Sequence, residues 1–196
     1  MGTTRRSAVS RGVFAAGAAA ALVAALGTGS PASAEDGAPA AAPALPAKTI
    51  SMRTVGVRLF FTGSSTVKTG QMLRIRNLAD PKQHGPHTVT LAATNVLPRS
   101  RKAQGDECFE KAGRICQVAA GAHDIDRNFN VGKQLVEAGR PGWDKRFSRI
   151  SKTGDSWYSE KKGEQFEQVV SAKAGTILRF MCIVHPNMQG KIRVTG

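Results

Sequence analysis

An all-β domain built as an antiparallel β-sandwich is the fold this sequence predicts, on three observations. Short runs that alternate apolar and polar residues are separated by Gly, Pro and Ser/Thr turn signals. No long amphipathic helical pattern intervenes. Removing an N-terminal leader of 34 residues leaves 162 of the 196, enough for one domain with a proper core.

The leader is residues 1–34, read as a cleaved export signal peptide. Arg5, Arg6 and Arg11 form its positive start, Val13 to Leu26 its alanine-rich apolar run, and Ala32-Ser33-Ala34 its cleavage site. The run falls short of the roughly 20 apolar residues that span a bilayer, so no stable membrane span is expected after cleavage. Arg5-Arg6 fits a twin-arginine (Tat) signal and also an ordinary Sec signal; the route stays open, with a periplasmic, cell-envelope or secreted destination expected either way. Residues 35–48 form an Ala/Pro-rich linker. Residues 49–196 are expected to form a single domain.

Within that domain Val55, Val57, Leu59 and Phe61 alternate with Gly56, Arg58 and Phe60, as one half-buried strand would. Thr62 to Ser65 and Thr69-Gly70 are turn signals. Met72, Arg74 and Arg76 then alternate with Leu73, Ile75 and Asn77, giving one basic and one apolar face. Asp80 to Gly85 reads as a loop, and His87 to Leu91 as a strand on which His87, Val89 and Leu91 share the inward face. Residues 94–160 form a long, partly irregular insertion, polar and thin in apolar content. There Val131 to Ala138 fits a short helix stopped by Gly139. Asp124 and Asp126 begin like a calcium loop, but no Gly or distal Glu follows at the required spacing. Ile177 to Met181 is the next strand, Gly190 is expected to break the chain, and Ile192 and Val194 lie on a closing strand.

Chemistry concentrates in Cys182-x2-His185-x2-Met188, which offers a thiolate, an imidazole and a thioether within seven residues. Two His, one Cys and a long axial Met make the blue-copper electron-transfer set, and His87 in Pro86-His87-x-Val89 supplies the second imidazole. The expected metal ligands are therefore His87, Cys182, His185 and Met188, holding one type 1 copper ion. His84, three residues before His87, competes for the first position. His123 is expected at the surface, and Met52, Met72 and Met181 in packing roles. The chain has three cysteines, an odd count for an exported protein. A local disulfide between Cys108 and Cys116 leaves Cys182 to be protected by metal, and closing so short a loop is worth about 2–3 kcal/mol on the chain-entropy account.

Together, Asn77, Pro86-His87-x-Val89 and Cys182-x2-His185-x2-Met188-x-Gly190-x-Ile192-x-Val194 resemble the cupredoxins, the small blue copper proteins. The short His-Pro-x-Met loop is most similar to that of amicyanin. The resemblance covers about residues 50–93 and 165–196 and leaves the middle of the chain uncovered. It implies Greek-key connectivity and single-electron transfer between protein partners. It also implies an electron port where the His185 edge emerges among Ile183, Val184 and Pro186. Thr88 stands where relatives often carry Asn.

After cleavage 25 basic side chains face 14 acidic ones, a net +11 that would steer the protein to anionic partners. Acidic redox donors and acceptors fit this field; nucleic acid does not fit an exported protein, and a monomer is expected. A multicopper enzyme would need more imidazoles than the four His in the chain provide. The remaining alternatives are a copper buffer or chaperone, and a metal-free binding module using Trp143, Trp157 and Tyr158 as an adhesive surface.

Overall fold

The computed structural model describes residues 45–110, 114–128 and 130–196. The expected signal peptide and residues 35–44 of the expected linker lie outside the described residues. Among the described residues no helix is long and apolar enough to cross a membrane.

Among the described residues ten strands form two facing sheets. The first contains β1 (Lys48–Val55), β2 (Arg58–Gly63), β4 (Met72–Asn77) and β8 (Gln165–Val169), in the spatial order β2-β1-β4-β8. The second contains β3 (Thr66–Lys68), β5 (His87–Leu91), β6 (Leu135–Val136), β7 (Ser156–Ser159), β9 (Ile177–Met181) and β10 (Gln189–Thr195), in the order β3-β10-β9-β5-β7-β6. The sandwich is as expected, with one difference: β1 pairs parallel to β4 and β3 parallel to β10. Parallel neighbours need a crossover connection. Here the chain leaves the first sheet after β2, contributes β3 to the second sheet, and returns as β4 beside β1.

The apolar residues of alternating strands fill the space between the sheets. Ile50, Met52, Leu73 and Ile75 come from the first, and Val89, Leu91, Leu178 and Ile192 from the second. Phe61 meets Phe180 edge-on with ring centroids 4.9 Å apart. On β4, Leu73, Ile75 and Asn77 are buried, whereas Met72 stays on the basic face and is 37% exposed, so it is not the packing residue expected. The run from Val55 to Phe61 is also not one strand. Gly56, in the left-handed region at φ 56°, turns it into a β1–β2 hairpin that leaves Val55 67% and Val57 91% exposed.

Gly190 lies inside β10 instead of breaking the chain. A Cβ there would come within 2.3 Å of the Phe180 ring, which explains the glycine better than any backbone freedom. Gly190→Ala is expected to cost about 1–3 kcal/mol by overpacking, read as a lower urea midpoint. An unchanged midpoint would show that the ring has room to move.

Residues 94–160 are more ordered than their composition suggested. Helix α1 (Pro81–His84) precedes the segment; within it, helix α2 (Arg101–Gln104) leads into a wider π-type turn (Gly105–Glu110) and helix α3 (Ile115–Ala122). The expected disulfide is present: Cys108 in the wide turn is bonded to Cys116 on α3, with Cα atoms 4.6 Å apart. Both half-cystines join Ile115, Ala119, Phe147, Met181 and Ile183 in a second apolar cluster. The helix expected over 131–138 is absent. Leu135 and Val136 pair as β6 with β7, and the Asp155 carboxylate accepts the Ala138 N–H at 2.9 Å. The segment ends by inserting β7 between β5 and β6. Trp143, Trp157 and Tyr158 are buried, the two tryptophans within the main core, so they form no adhesive surface.

Candidate metal centre

Gly85, left-handed at φ 74°, turns the chain out of α1 so that His87 begins β5. Its register partner is Ser159 on β7, whose hydroxyl accepts from Asn77 Nδ2 at 2.9 Å. Asn77 thereby ties the end of the first sheet to the strand beside His87, and its own Oδ1 accepts the Ala79 N–H at 3.1 Å. Across the second sheet β9 ends at Met181. Its neighbours Met181 and Cys182 go to opposite sides, Met181 to the second cluster and Cys182 to the main core. Residues 182–188 close on themselves: Cys182 N–H donates to the Met188 carbonyl at 3.0 Å and Met188 N–H to the His185 carbonyl at 2.8 Å.

His87, Cys182 and His185 converge, with donor atoms all within 4.8 Å of one another. The two imidazole centroids are 4.8 Å apart, and Cys182 Sγ lies 3.6 Å from His185 Nδ1. Metal–sulfur and metal–nitrogen bonds of about 2.3 and 2.0–2.1 Å, as zinc makes, meeting near the tetrahedral angle span roughly 3.6 Å. Met188 is fully buried in the same cluster as Cys182. His84 stands outside the converging group, although its ring Nε2 is buried without a partner and its carbonyl favours a proton on His185.

The fit to a metal rests chiefly on His87. Its side chain is inaccessible and neither ring nitrogen has a hydrogen-bond partner. An unpartnered buried polar group costs about 1–3 kcal/mol, a cost that an ion between His87, Cys182 and His185 would remove. Burial, then the charges of His185 and His84, hold the His87 pKa down to about 4, so the ring keeps a lone pair for a ligand. Burial likewise lowers His185. It pushes the Cys182 thiol up, against hydrogen bonds from the Thr88, His185 and Val184 amides and the Thr88 hydroxyl, all of which favour the thiolate. The donor set of two imidazoles, thiolate and thioether suits copper.

Thr88 does more than its position in the sequence suggested. Its N–H donates to Cys182 Sγ at 3.3 Å, and its hydroxyl accepts the Ile183 N–H at 2.9 Å, fastening together the segments that carry His87 and Cys182. The apolar rim expected around His185 is only partly there: Ile183 and Pro186 are buried, and Val184 and His185 are half-buried. Exposed apolar surface lies instead at the β1–β2 tip, where Val55, Val57 and Leu59 line a groove with Asn187 of the ligand loop. His123 is not at the surface. It is fully buried, with Nδ1 2.6 Å from the Lys133 carbonyl and Nε2 2.8 Å from Ser156 Oγ. Sequence carried no signal for this, because both partners are distant in the chain.

No protein-family model matches the chain, and no curated protein does. Among solved structures it is similar to dithionite-reduced auracyanin from the photosynthetic bacterium Roseiflexus castenholzii, 18% identical over 76% of this chain and 97% of that one, with a TM-score of 0.36. Auracyanin B is 12% identical over 76% and 88% of the two chains, with a TM-score of 0.40. Auracyanin A, a "blue" copper protein from the green thermophilic photosynthetic bacterium Chloroflexus aurantiacus, is 18% identical over 76% and 100%, with a TM-score of 0.39. At these scores no residue role passes from them to this chain, and the roles assigned below rest on its own geometry.

Proposed function

We propose that this chain is an exported blue copper protein that carries single electrons between protein partners. The observation that supports it most directly is the buried His87 imidazole, with both nitrogens unpartnered, facing a thiol and a second imidazole. His87, Cys182 and His185 would hold one copper ion, with Met188 as the weak axial ligand. A bound copper supplies a one-electron couple. The protein contributes a rigid frame: the ligands stand on strand ends of one sheet and on a loop closed by its own backbone bonds, so little rearrangement accompanies a change of charge. Thr88 and the loop amides stabilise negative charge on the sulfur.

His185 is the half-exposed member of the set and the natural electron port, while the β1–β2 tip beside Asn187 supplies apolar contact area. Arg53 and Arg58 are exposed on the two strands of that hairpin and suit an acidic partner. The reading is of a carrier and not an enzyme.

The test is addition of Cu(II) to the mature domain, followed by voltammetry and chelator challenge. An intense visible thiolate-to-copper band with a reversible couple and negligible copper loss is the expected result. Copper binding without the band, or rapid surrender of the metal to a chelator, would favour copper buffering or delivery. Failure to bind copper would overturn the reading.

A further inference from the structure

Four buried polar side chains, none of them a proposed ligand, form an unbroken line from Cys182 to the far segment. Thr88 Oγ1 is 3.1 Å from Thr90 Oγ1, Thr90 Oγ1 is 2.6 Å from Ser156 Oγ, and Ser156 Oγ is 2.8 Å from His123 Nε2. His123 Nδ1 then meets the Lys133 carbonyl at 2.6 Å. All four side chains are fully buried. We propose that His123 is a positioning residue: its protonation sets the direction of this hydroxyl relay and thereby whether Thr88 donates a hydrogen bond to the Cys182 sulfur.

Counting protons gives two arrangements. A carbonyl only accepts, so Nδ1 carries a proton in both. With a neutral ring Nε2 is bare; Ser156 donates to it, Thr90 donates to Ser156, and Thr88 can direct its own proton to Thr90. With a doubly protonated ring each bond reverses: Nε2–H donates to Ser156, Ser156 to Thr90, and Thr90 to Thr88. The Thr88 oxygen then accepts from both Thr90 and the Ile183 amide, and its proton is left for the sulfur, with which the hydroxyl is within bonding reach. The heavy-atom geometry suits Thr90 donating to Thr88, as in the second arrangement, and the Thr90–Ser156 bond can run either way.

The groups facing His123 set the pH at which it changes. Burial is the largest influence and holds the His123 pKa below its ordinary value, against the Lys133 carbonyl and the Asp124 carboxylate at the end of α3, which favour the charged ring. Asp124 is itself bridged by Lys133 Nζ at 2.8 Å. From β7, Tyr158 packs its ring 5.8 Å away and stays neutral, its hydroxyl pushed up to about 12. Asp155, next to Ser156, spends its carboxylate on the amides of Ala138, Asp144 and Lys145. An added hydrogen bond draws electron density from a thiolate that would otherwise stabilise Cu(II), so the reduction potential should rise as His123 becomes charged.

This inference rests on the copper reading, and its test separates the two. Imidazole 15N shifts of the metal-free protein give the His123 tautomer and midpoint. The potential of the copper-loaded protein is then followed against pH in the wild type, in Thr90→Val, which cuts the relay without changing side-chain size, and in Thr90→Ser, which keeps a hydroxyl. The expected result is a potential that rises as pH falls through the His123 midpoint, a component lost in Thr90→Val and kept in Thr90→Ser. Any dependence arising from His185 would persist in both variants. Superimposable wild-type and Thr90→Val profiles would overturn the proposal, as would a His123 that stays neutral until the protein unfolds. If the protein holds no copper, the copper reading fails. The relay is then read in the metal-free protein, where the Thr88 and Cys182 resonances should shift with the His123 midpoint in the wild type and not in Thr90→Val.

Discussion

Replacing Cys182 with alanine should erase the visible charge-transfer band and lower copper affinity by more than about 100-fold, since even the loss of a residue supporting a ligand typically costs 10–100-fold. The band needs a thiolate bound to the metal, and Cys182 is the free cysteine of the chain. The fold should survive. The side chain is small, and Cys182 contributes to the backbone closure of the ligand loop through its N–H, which alanine retains. The Thr88 N–H would lose its sulfur acceptor, a cost of about 1–3 kcal/mol. Far-ultraviolet circular dichroism and Cu(II) titration of the variant check both halves of the expectation. A retained band would mean that another group is the thiolate donor and would remove the basis for the site.

The second large effect concerns the frame. Asp155 is fully buried between Gly154 and Ser156, and its carboxylate accepts the Ala138, Asp144 and Lys145 amides at 2.9, 2.9 and 2.7 Å. It therefore organises the loop between β6 and β7 from a single point. Asp155→Ala would leave three amide donors without an acceptor. At about 1–3 kcal/mol per unsatisfied buried donor, partly met by water entering from the surface, a loss of roughly 3 kcal/mol is expected. Urea unfolding of the metal-free protein measures it. A loss below about 1 kcal/mol would mean that the loop re-forms around other acceptors. Burial raises the Asp155 pKa while the three amides lower it, so the carboxylate is held by its hydrogen bonds against an unfavourable setting.

How much of this could be read from sequence depended on the reach of each determinant. The convergence of Cys182 and His185 was legible because they lie, with Met188, within seven residues and their chemistry does not depend on distant partners. His87 was legible because strand alternation places it on one face with Val89 and Leu91. The disulfide followed from an odd cysteine count and a short separation. The errors lie where a distant residue decides. Leu135, Val136 and Gly139 imitate the end of a helix, but pairing with Trp157 and Ser156 holds Leu135 and Val136 extended, and Asp155 takes the Ala138 N–H. His123 looks like a surface residue until Ser156, 33 positions away, is brought beneath it. The period-two pattern of Val55 to Phe61 continues through a turn, and only the pairing of Arg58 with Val55 reveals that the chain has reversed.

The six-stranded sheet ends in stubs: β3 is three residues long and β6 only two. Unpaired edges are where a second chain can add a strand, and the length of the edge limits how many ladder bonds such an intruder can form. A neighbouring copy would find at most a few backbone groups on either side of the sheet that carries His87 and leads into Cys182, too few to fix a register. The broad sheet can therefore be crowded against other molecules at high concentration without inviting fibre growth from its margins.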